Sequence, residues 1–249
     1  MNISVYNLDQ QGVGNFGGGR IIESKPIAFP HEETAVKRVG PLFYWSWAKG
    51  VETFEIPLHP HSGFEILTYV LKGTVGHSDT LKNFQRVSAG GAQVMQTGSG
   101  VYHAENIEKD AELFQIWFEP HLAKTTKQTP TYNQYEHEDF PLSEENGVKL
   151  KTIIGKGSPI SLETDTSMFD AEISEGKTFT YSLRAGKALA VVAVQGSGSV
   201  GSSALERGDF SVVTTDEDAQ VIFSAAESEG LRIVFIEVPQ EVDYPLYRK

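Results

Sequence analysis

The sequence predicts an all-β chain built as two tandem antiparallel barrels of jelly-roll type, with few short helices. Three observations predict it. Short β-prone runs such as "FEILTYVL", "LFQIWF", "LAVVAVQG" and "LRIVFIEV" are bounded by Gly, Asn, Asp and Ser. No long stretch carries a helical period. One order of elements also occurs twice. "ILTYVLKGTVGHSD…VSAGGAQVMQTG" is echoed by "LAVVAVQGSGSVGS…LERGDFSVVTTD", with Gly73 and Gly196, and Gly90 and Gly208, in corresponding places.

The chain has 249 residues, enough for two domains of ordinary size. The expected division is an N-terminal barrel over 1–135 and a C-terminal barrel over 136–249. The polar segment "TTKQTPTYNQYEHEDFP", within 120–145, reads as a surface linker. "PLSEEN", Pro141–Asn146, has the chemistry of a short helix start. "GVGNFG", Gly12–Gly17, matches a dinucleotide fingerprint literally, but no helical pattern follows it. It reads as a flexible glycine loop over the barrel. "FYWSW", Phe43–Trp47, reads as a core strand, some of whose rings could line a pocket for a flat aromatic ligand.

Composition narrows the function classes. Hydrophobic residues make up 39% and charged residues 22%, as expected of a chain with a sizeable core. The net charge is −12, and Lys and Arg are scattered singly, which argues against direct nucleic-acid binding and against an anionic membrane surface. The longest apolar run, Ala188–Val194, is far short of a membrane span. There is no cysteine, so disulfides, thiolate metal sites and cysteine nucleophiles are excluded. The start "MNISVYNLDQ" lacks a signal-peptide pattern, and the expected location is cytoplasmic.

All seven histidines precede residue 138, so a histidine site belongs to the first barrel. His59 and His61 stand at i and i+2 and share one face of an extended strand. Pro57 and Pro60 weaken pairing there, which suits a strand end or a bulge. Forty-two residues after His61, His103 and Glu105 form a second i, i+2 pair in "GVYHAEN". Three imidazoles and a carboxylate converging in a barrel mouth suit a divalent first-row metal with open positions. Separate polar residues at strand ends are the bland alternative. Glu65, four residues after His61, is expected to face inward with Leu67 and Tyr69. It is a candidate acceptor behind a ligand, a further ligand, or a catalytic base. His77 reads as a cross-strand polar contact, and His31, His121 and His137 as solvated loop residues.

The segments "HPHSGFEILTYVLKGTVGHSD" and "GSGVYHAE", with "GPLFYWSWAKG" and "LFQIWFEP", resemble the pirin family of the cupin superfamily, in particular its shorter bacterial quercetinase-like members. The resemblance covers most of the chain and implies a bicupin whose second barrel is degenerate. It implies one metal held by His59, His61, His103 and Glu105, iron(II) first, with Mn, Ni, Cu, Co or Zn also fitting such a set. It further implies a dioxygenase resembling quercetin 2,3-dioxygenase, opening a flavonol-like aromatic ring with O₂, with Glu105 or Glu65 as the catalytic proton acceptor. The alternative is a metal- or redox-sensing regulatory protein acting through a protein partner, as animal pirins do; a cupin isomerase is a third reading. Gly98-Ser99-Gly100 stands where cupins commonly carry Pro-x-Gly, a departure shared by pirins that leaves the ligand positions intact.

Overall fold

The computed structural model describes residues 1–247. The chain opens with β1 (Asn2–Tyr6). Next come β2 (Gly12–Phe16), β3 (Ile21–Ile27), β4 (Leu42–Gly50), β5 (Phe54–His61), β6 (Glu65–Lys72) and β7 (Thr74–Asp79). Then follow β8 (Phe84–Ser88), β9 (Ala92–Gln96), β10 (Val101–Ile107), β11 (Glu112–Phe118) and β12 (Thr131–Tyr135). The remainder is β13 (Leu142–Glu145), β14 (Val148–Ile154), β15 (Ser167–Ile173), β16 (Thr178–Leu183) and β17 (Lys187–Val200), then β18 (Ser203–Glu206), β19 (Phe210–Thr214), β20 (Ala219–Ala225) and β21 (Leu231–Pro239). One four-residue helix, α1 (Leu122–Thr125), is the longest helical element among the described residues. No helix among them is long and apolar enough to cross a membrane.

Two compact units result, each a cupin-type barrel. The first holds Gln11–Asp139, Leu162–Thr164 and the chain from Tyr244; the second holds Met1–Gln10, Phe140–Ser161 and Asp165–Asp243. The expected boundary at 135/136 therefore differs from the structural one at both ends. Residues 1–10 belong to the second unit, and residues 248 and 249 of the expected C-terminal domain lie outside the described residues.

The two units share one topology. In the first, a seven-stranded sheet runs β12-β9-β6-β11-β4-β3-β2 beside a four-stranded sheet β5-β10-β7-β8. In the second, the order β1-β19-β17-β21-β15-β14-β13 repeats the large sheet, and β16-β20-β17-β18 repeats the small one. Every pairing is antiparallel. The glycines read as a repeat are equivalent in detail. Gly73 and Gly196 both sit at φ 74°, a left-handed conformation costly for other residues. The Gly90 N–H donates to Val70 O at 2.7 Å, and the Gly208 N–H to Ala193 O at 2.8 Å, each acceptor three residues before the first glycine of its pair.

Three local expectations change. "PLSEEN" is a strand, because Asn146-Gly147 takes φ 53° and 81° between β13 and β14. That is the two-residue hairpin turn these residue types favour, and it fixes an extended partner before it. "GVGNFG" supplies β2, paired in register with β3, so it is no loop. The supposed linker contributes β12, which extends the large sheet by pairing with β9.

The core of the second barrel is a packed apolar cluster that includes Leu189, Val191, Val213, Val221, Phe223, Ile233 and Phe235. Full burial of each such side chain contributes about 1.5–3 kcal/mol. The first barrel splits its apolar packing. One cluster is built around Val70, Val75, Ile107 and Leu113, and a smaller one around Ile66, Met95 and Val101.

Candidate metal centre

β5 and β10 pair antiparallel and set His103 directly opposite His59 and Val101 opposite His61. The register then shifts, so that Glu105 meets Ile56. The extra residue lies at Pro57-Leu58, where proline has no N–H to pair, as a bulge requires. The shift keeps Ile56, His59 and His61 on the half-buried side of a strand whose alternation would otherwise fail. On β10, His103 and Glu105 are buried while Tyr102 is exposed, which is the i, i+2 geometry expected.

The three imidazoles converge. Ring centroids of His59, His61 and His103 lie 4.4–5.0 Å apart. One ring nitrogen from each falls within 4.8 Å of the others. Nitrogens bound about 2.1 Å from one ion lie at most about 4.2 Å apart, so the rings need only a small inward movement to share one. His59 Nδ1 lies 2.8 Å from Pro57 O. As the donor of this bond, Nδ1 leaves Nε2 with the lone pair a metal needs. His103 is 2% exposed, and neither of its ring nitrogens has a hydrogen-bond partner. Burial, with His59 and His77 nearby, lowers its pKa to about 3, so the ring is neutral at ordinary pH. A buried polar atom without a partner costs about 1–3 kcal/mol, a cost that coordination removes. The donor set therefore fits a divalent first-row metal.

Glu105 lines the same cavity as His59 and His61. Its Oε1 accepts a hydrogen bond from Gln115 Nε2 at 2.7 Å, and Gln115 Oε1 accepts one from Thr68 Oγ1 at 3.1 Å. Burial raises the Glu105 pKa, partly offset by the Gln115 bond and by the histidines. Its carboxyl group therefore holds a proton more readily than a solvated glutamate. The carboxylate is not within the group of three close donor atoms, which consists of histidines alone.

The structure does not bring Glu65 to this centre. Glu65 is buried, but its carboxylate accepts four hydrogen bonds: from Gln96 Nε2 at 2.8 Å, Glu163 N at 2.7 Å, Thr164 N at 3.0 Å and Thr164 Oγ1 at 2.6 Å. It lines a separate cavity of about 230 Å³. The reason is strand parity. β6 is buried on both faces, and Thr68, in phase with Ile66 and Val70, is the residue facing the Gln115–Glu105 pair. Glu65, one residue out of phase, faces the other way.

His77 makes a polar contact, but within its own strand rather than across strands: Nε2 lies 2.9 Å from Asp79 Oδ2, both on β7, and the ring stacks on Tyr132 at 4.0 Å. Burial opposes ionisation of Asp79, but hydrogen bonds from Asn83 and His77 outweigh it and hold its pKa below the usual value. His121 flanks α1 and stacks on Tyr244 at 5.4 Å. His31 is exposed, yet it lines the cavity of the metal centre.

That cavity has a volume of about 590 Å³. Its walls are largely aromatic and aliphatic, including Phe29, Tyr44, Leu113 and Trp117, as binding pockets for small molecules usually are. Sequence reasoning missed Gln115, Thr68 and the charged lining residues Glu23, Lys25 and Glu32. For Gln115 a signal existed: in "LFQIWF" it stands in phase with Leu113 and Trp117, a polar residue on the inward face.

The family model described as Pirin matches residues 40–118, from β4 through β11. Pirin-like protein 2 of Arabidopsis thaliana is 31% identical over 197 residues, covering 72% of this chain and 59% of that protein. Quercetin 2,3-dioxygenase of Escherichia coli K12 is 44% identical over 79 residues, 30% of this chain and 33% of that one. The fold is similar to that of the bacterial pirin YhhW from Escherichia coli, solved in complex with nickel(II). The TM-score is 0.79 at 23% identity, over 96% of this chain and 99% of that one. The chain spans 59%, 62% and 65% of the length of the three pirin-named relatives it matches over long stretches. The matched segment carries both histidine strands, and over 72% of its length the chain is similar to pirin-named proteins.

Proposed function

We propose that the protein is a metal-dependent dioxygenase that opens the ring of a flavonol-like aromatic substrate with O₂. The observation that carries this reading is a cluster of three histidines, His103 buried and His59 and His61 half-buried, beside an aromatic cavity large enough for a flat ligand. His59, His61 and His103 would hold the metal, iron(II) by analogy with the family, and Glu105 would complete the set. When bound, the metal supplies Lewis acidity toward a hydroxyl or keto oxygen of the substrate. The protein does the rest. Trp117, Tyr44 and Phe29 hold the ring flat and keep water from it. Glu105, whose pKa is raised by burial, takes the substrate's hydroxyl proton, and Gln115 holds the carboxyl in place for that transfer. Glu65, named earlier as a second proton acceptor, has no part in this scheme.

Relatives that support the activity by name include quercetin 2,3-dioxygenase of Escherichia coli and a putative one of Pasteurella multocida, 45% identical over 80 residues. The relatives matched over the longest stretches are instead named pirins, which favours the second reading, a metal- or redox-sensing binding protein. Oxygen uptake and carbon monoxide release with quercetin, on protein loaded in turn with Fe, Mn, Ni, Cu and Co, decide between them. Uptake with at least one metal is expected. No uptake with any of them sinks the enzyme and leaves the sensor.

A further inference from the structure

The cavity beside the histidines has a second polar pole that the proposed chemistry does not use. Lys25, on β3, is only 8% exposed. Its Nζ lies 3.6 Å from Glu23 Oε2 and is ion-paired with Glu32 Oε1. Buried Glu23 accepts a hydrogen bond from Ser46 Oγ at 2.6 Å and a longer one from the Tyr44 hydroxyl at 3.4 Å. The second oxygen of Glu32 accepts the Phe29 N–H at 3.0 Å. All three charged side chains line the same cavity as His59, His61 and Glu105. Desolvating such a cluster is costly, and stability alone is a weak reason for its presence.

An aromatic wall joins the two poles. Trp117 meets His61 at 4.7 Å between ring centroids, Tyr44 meets Trp117 at 5.2 Å, and Lys25 Nζ lies 5.9 Å from the centre of the Tyr44 ring. Phe29 packs on both rings, at 4.8 Å from Tyr44 and 5.7 Å from Trp117. A flat ligand along this wall reaches the histidines with one end and the ions with the other. Gly14 leaves the ions their room: a Cβ there would come within 2.6 Å of Glu23 Oε2 and 2.8 Å of Lys25 Cε.

We propose that Glu23, Lys25 and Glu32 form a specificity subsite that selects aromatic ligands bearing a phenolic hydroxyl remote from their metal-chelating oxygens. The proposal deepens the dioxygenase reading and rests on it for the chelating end of the ligand. A phenol both donates and accepts, so it bonds to a carboxylate and to the ammonium at once. A bare ring would strip the ions of solvent and return no hydrogen bond. A ligand carboxylate would face two carboxylates for one ammonium.

The test is anaerobic binding to the nickel(II)-loaded full chain, read by quenching of tryptophan fluorescence. Quercetin and 3-hydroxyflavone share the chelating oxygens, and only quercetin has the remote hydroxyls. Wild type is expected to prefer quercetin by about tenfold or more. Lys25→Met and Glu32→Gln should each bring that ratio to within about twofold, with metal content and 3-hydroxyflavone affinity held. Glu32→Gln keeps the side-chain shape and serves where Lys25→Met fails to fold. A ratio unchanged in the folded variants overturns the subsite, as does wild type binding neither compound. Because no oxygen is present, failure of turnover in the aerobic assay would remove the dioxygenase and leave the hydroxyl preference standing.

Discussion

The two barrels use one topology for opposite ends. In the first, the paired strands β5 and β10 bring His59, His61 and Glu105 to a cavity, with His103 buried behind them beside the other two histidines. In the second, the equivalent pair β16 and β20 contributes Phe179, Tyr181, Val221 and Phe223 to an apolar core. The large sheets behind them follow the same strand order. The difference teaches that the sheet frame is indifferent to what fills it. A hollow polar interior gives up packing that the second barrel keeps, and it accepts an unbonded buried imidazole in return for a binding site.

That contrast can be broken in several places. The largest expected effect is at the hollow. His59→Ala should lower metal affinity by roughly a hundredfold or more while leaving the β-sheet circular dichroism intact. Metal analysis after dialysis checks it, and retained stoichiometric metal would remove His59 from the ligand set. At the filled interior, Phe235→Ala should cost about 3–5 kcal/mol in denaturant unfolding, with metal stoichiometry of the folded protein unchanged. A loss under about 1 kcal/mol would mean that the second core is looser than its burial implies.

Acid sharpens the comparison, because the second barrel has no histidine. His103 stays neutral in the fold down to about pH 3. In the unfolded chain it titrates near 6.5, at about the model-peptide value. The unfolded state thus takes up the proton first, and metal-free protein loses stability as pH falls from about 6.5 toward 3. For this one group the slope is at most about 1.4 kcal/mol per pH unit. His103→Gln should flatten the pH dependence by that amount; an unchanged slope would show that His103 is not held neutral. The smallest effect is expected at Gln115→Leu, about a tenfold loss of turnover with metal retained. Turnover equal to wild type would show that the Gln115–Glu105 bond positions nothing.

The histidine centre was legible because strand periodicity is local: i and i+2 share a face whatever the strand pairs with. The repeat was legible because left-handed turns leave glycines in the sequence, as at Gly73 and Gly196. Glu65 was misread because β6 is buried on both faces, so neither phase looks exposed, and parity alone cannot say which side faces the cavity. "PLSEEN" was misread because its acidic residues suit a helix start, while the deciding signal, Asn146-Gly147, lies at its far end. The Glu23–Lys25–Glu32 subsite left no mark in the pattern. Its charges come together through β3 and the loop after it, and alternating charge reads as a solvated edge.

The placement of β1 bears on how the protein is made. Asn2–Tyr6 pairs with Phe210–Thr214, so this strand's partner leaves the ribosome roughly 200 residues later. The first barrel can close on its own segment while β1 waits unpaired, exposed to proteases and to other nascent chains. A bulky fusion placed ahead of Asn2 would therefore act on the last sheet to assemble, and would show itself as incomplete folding of the second barrel.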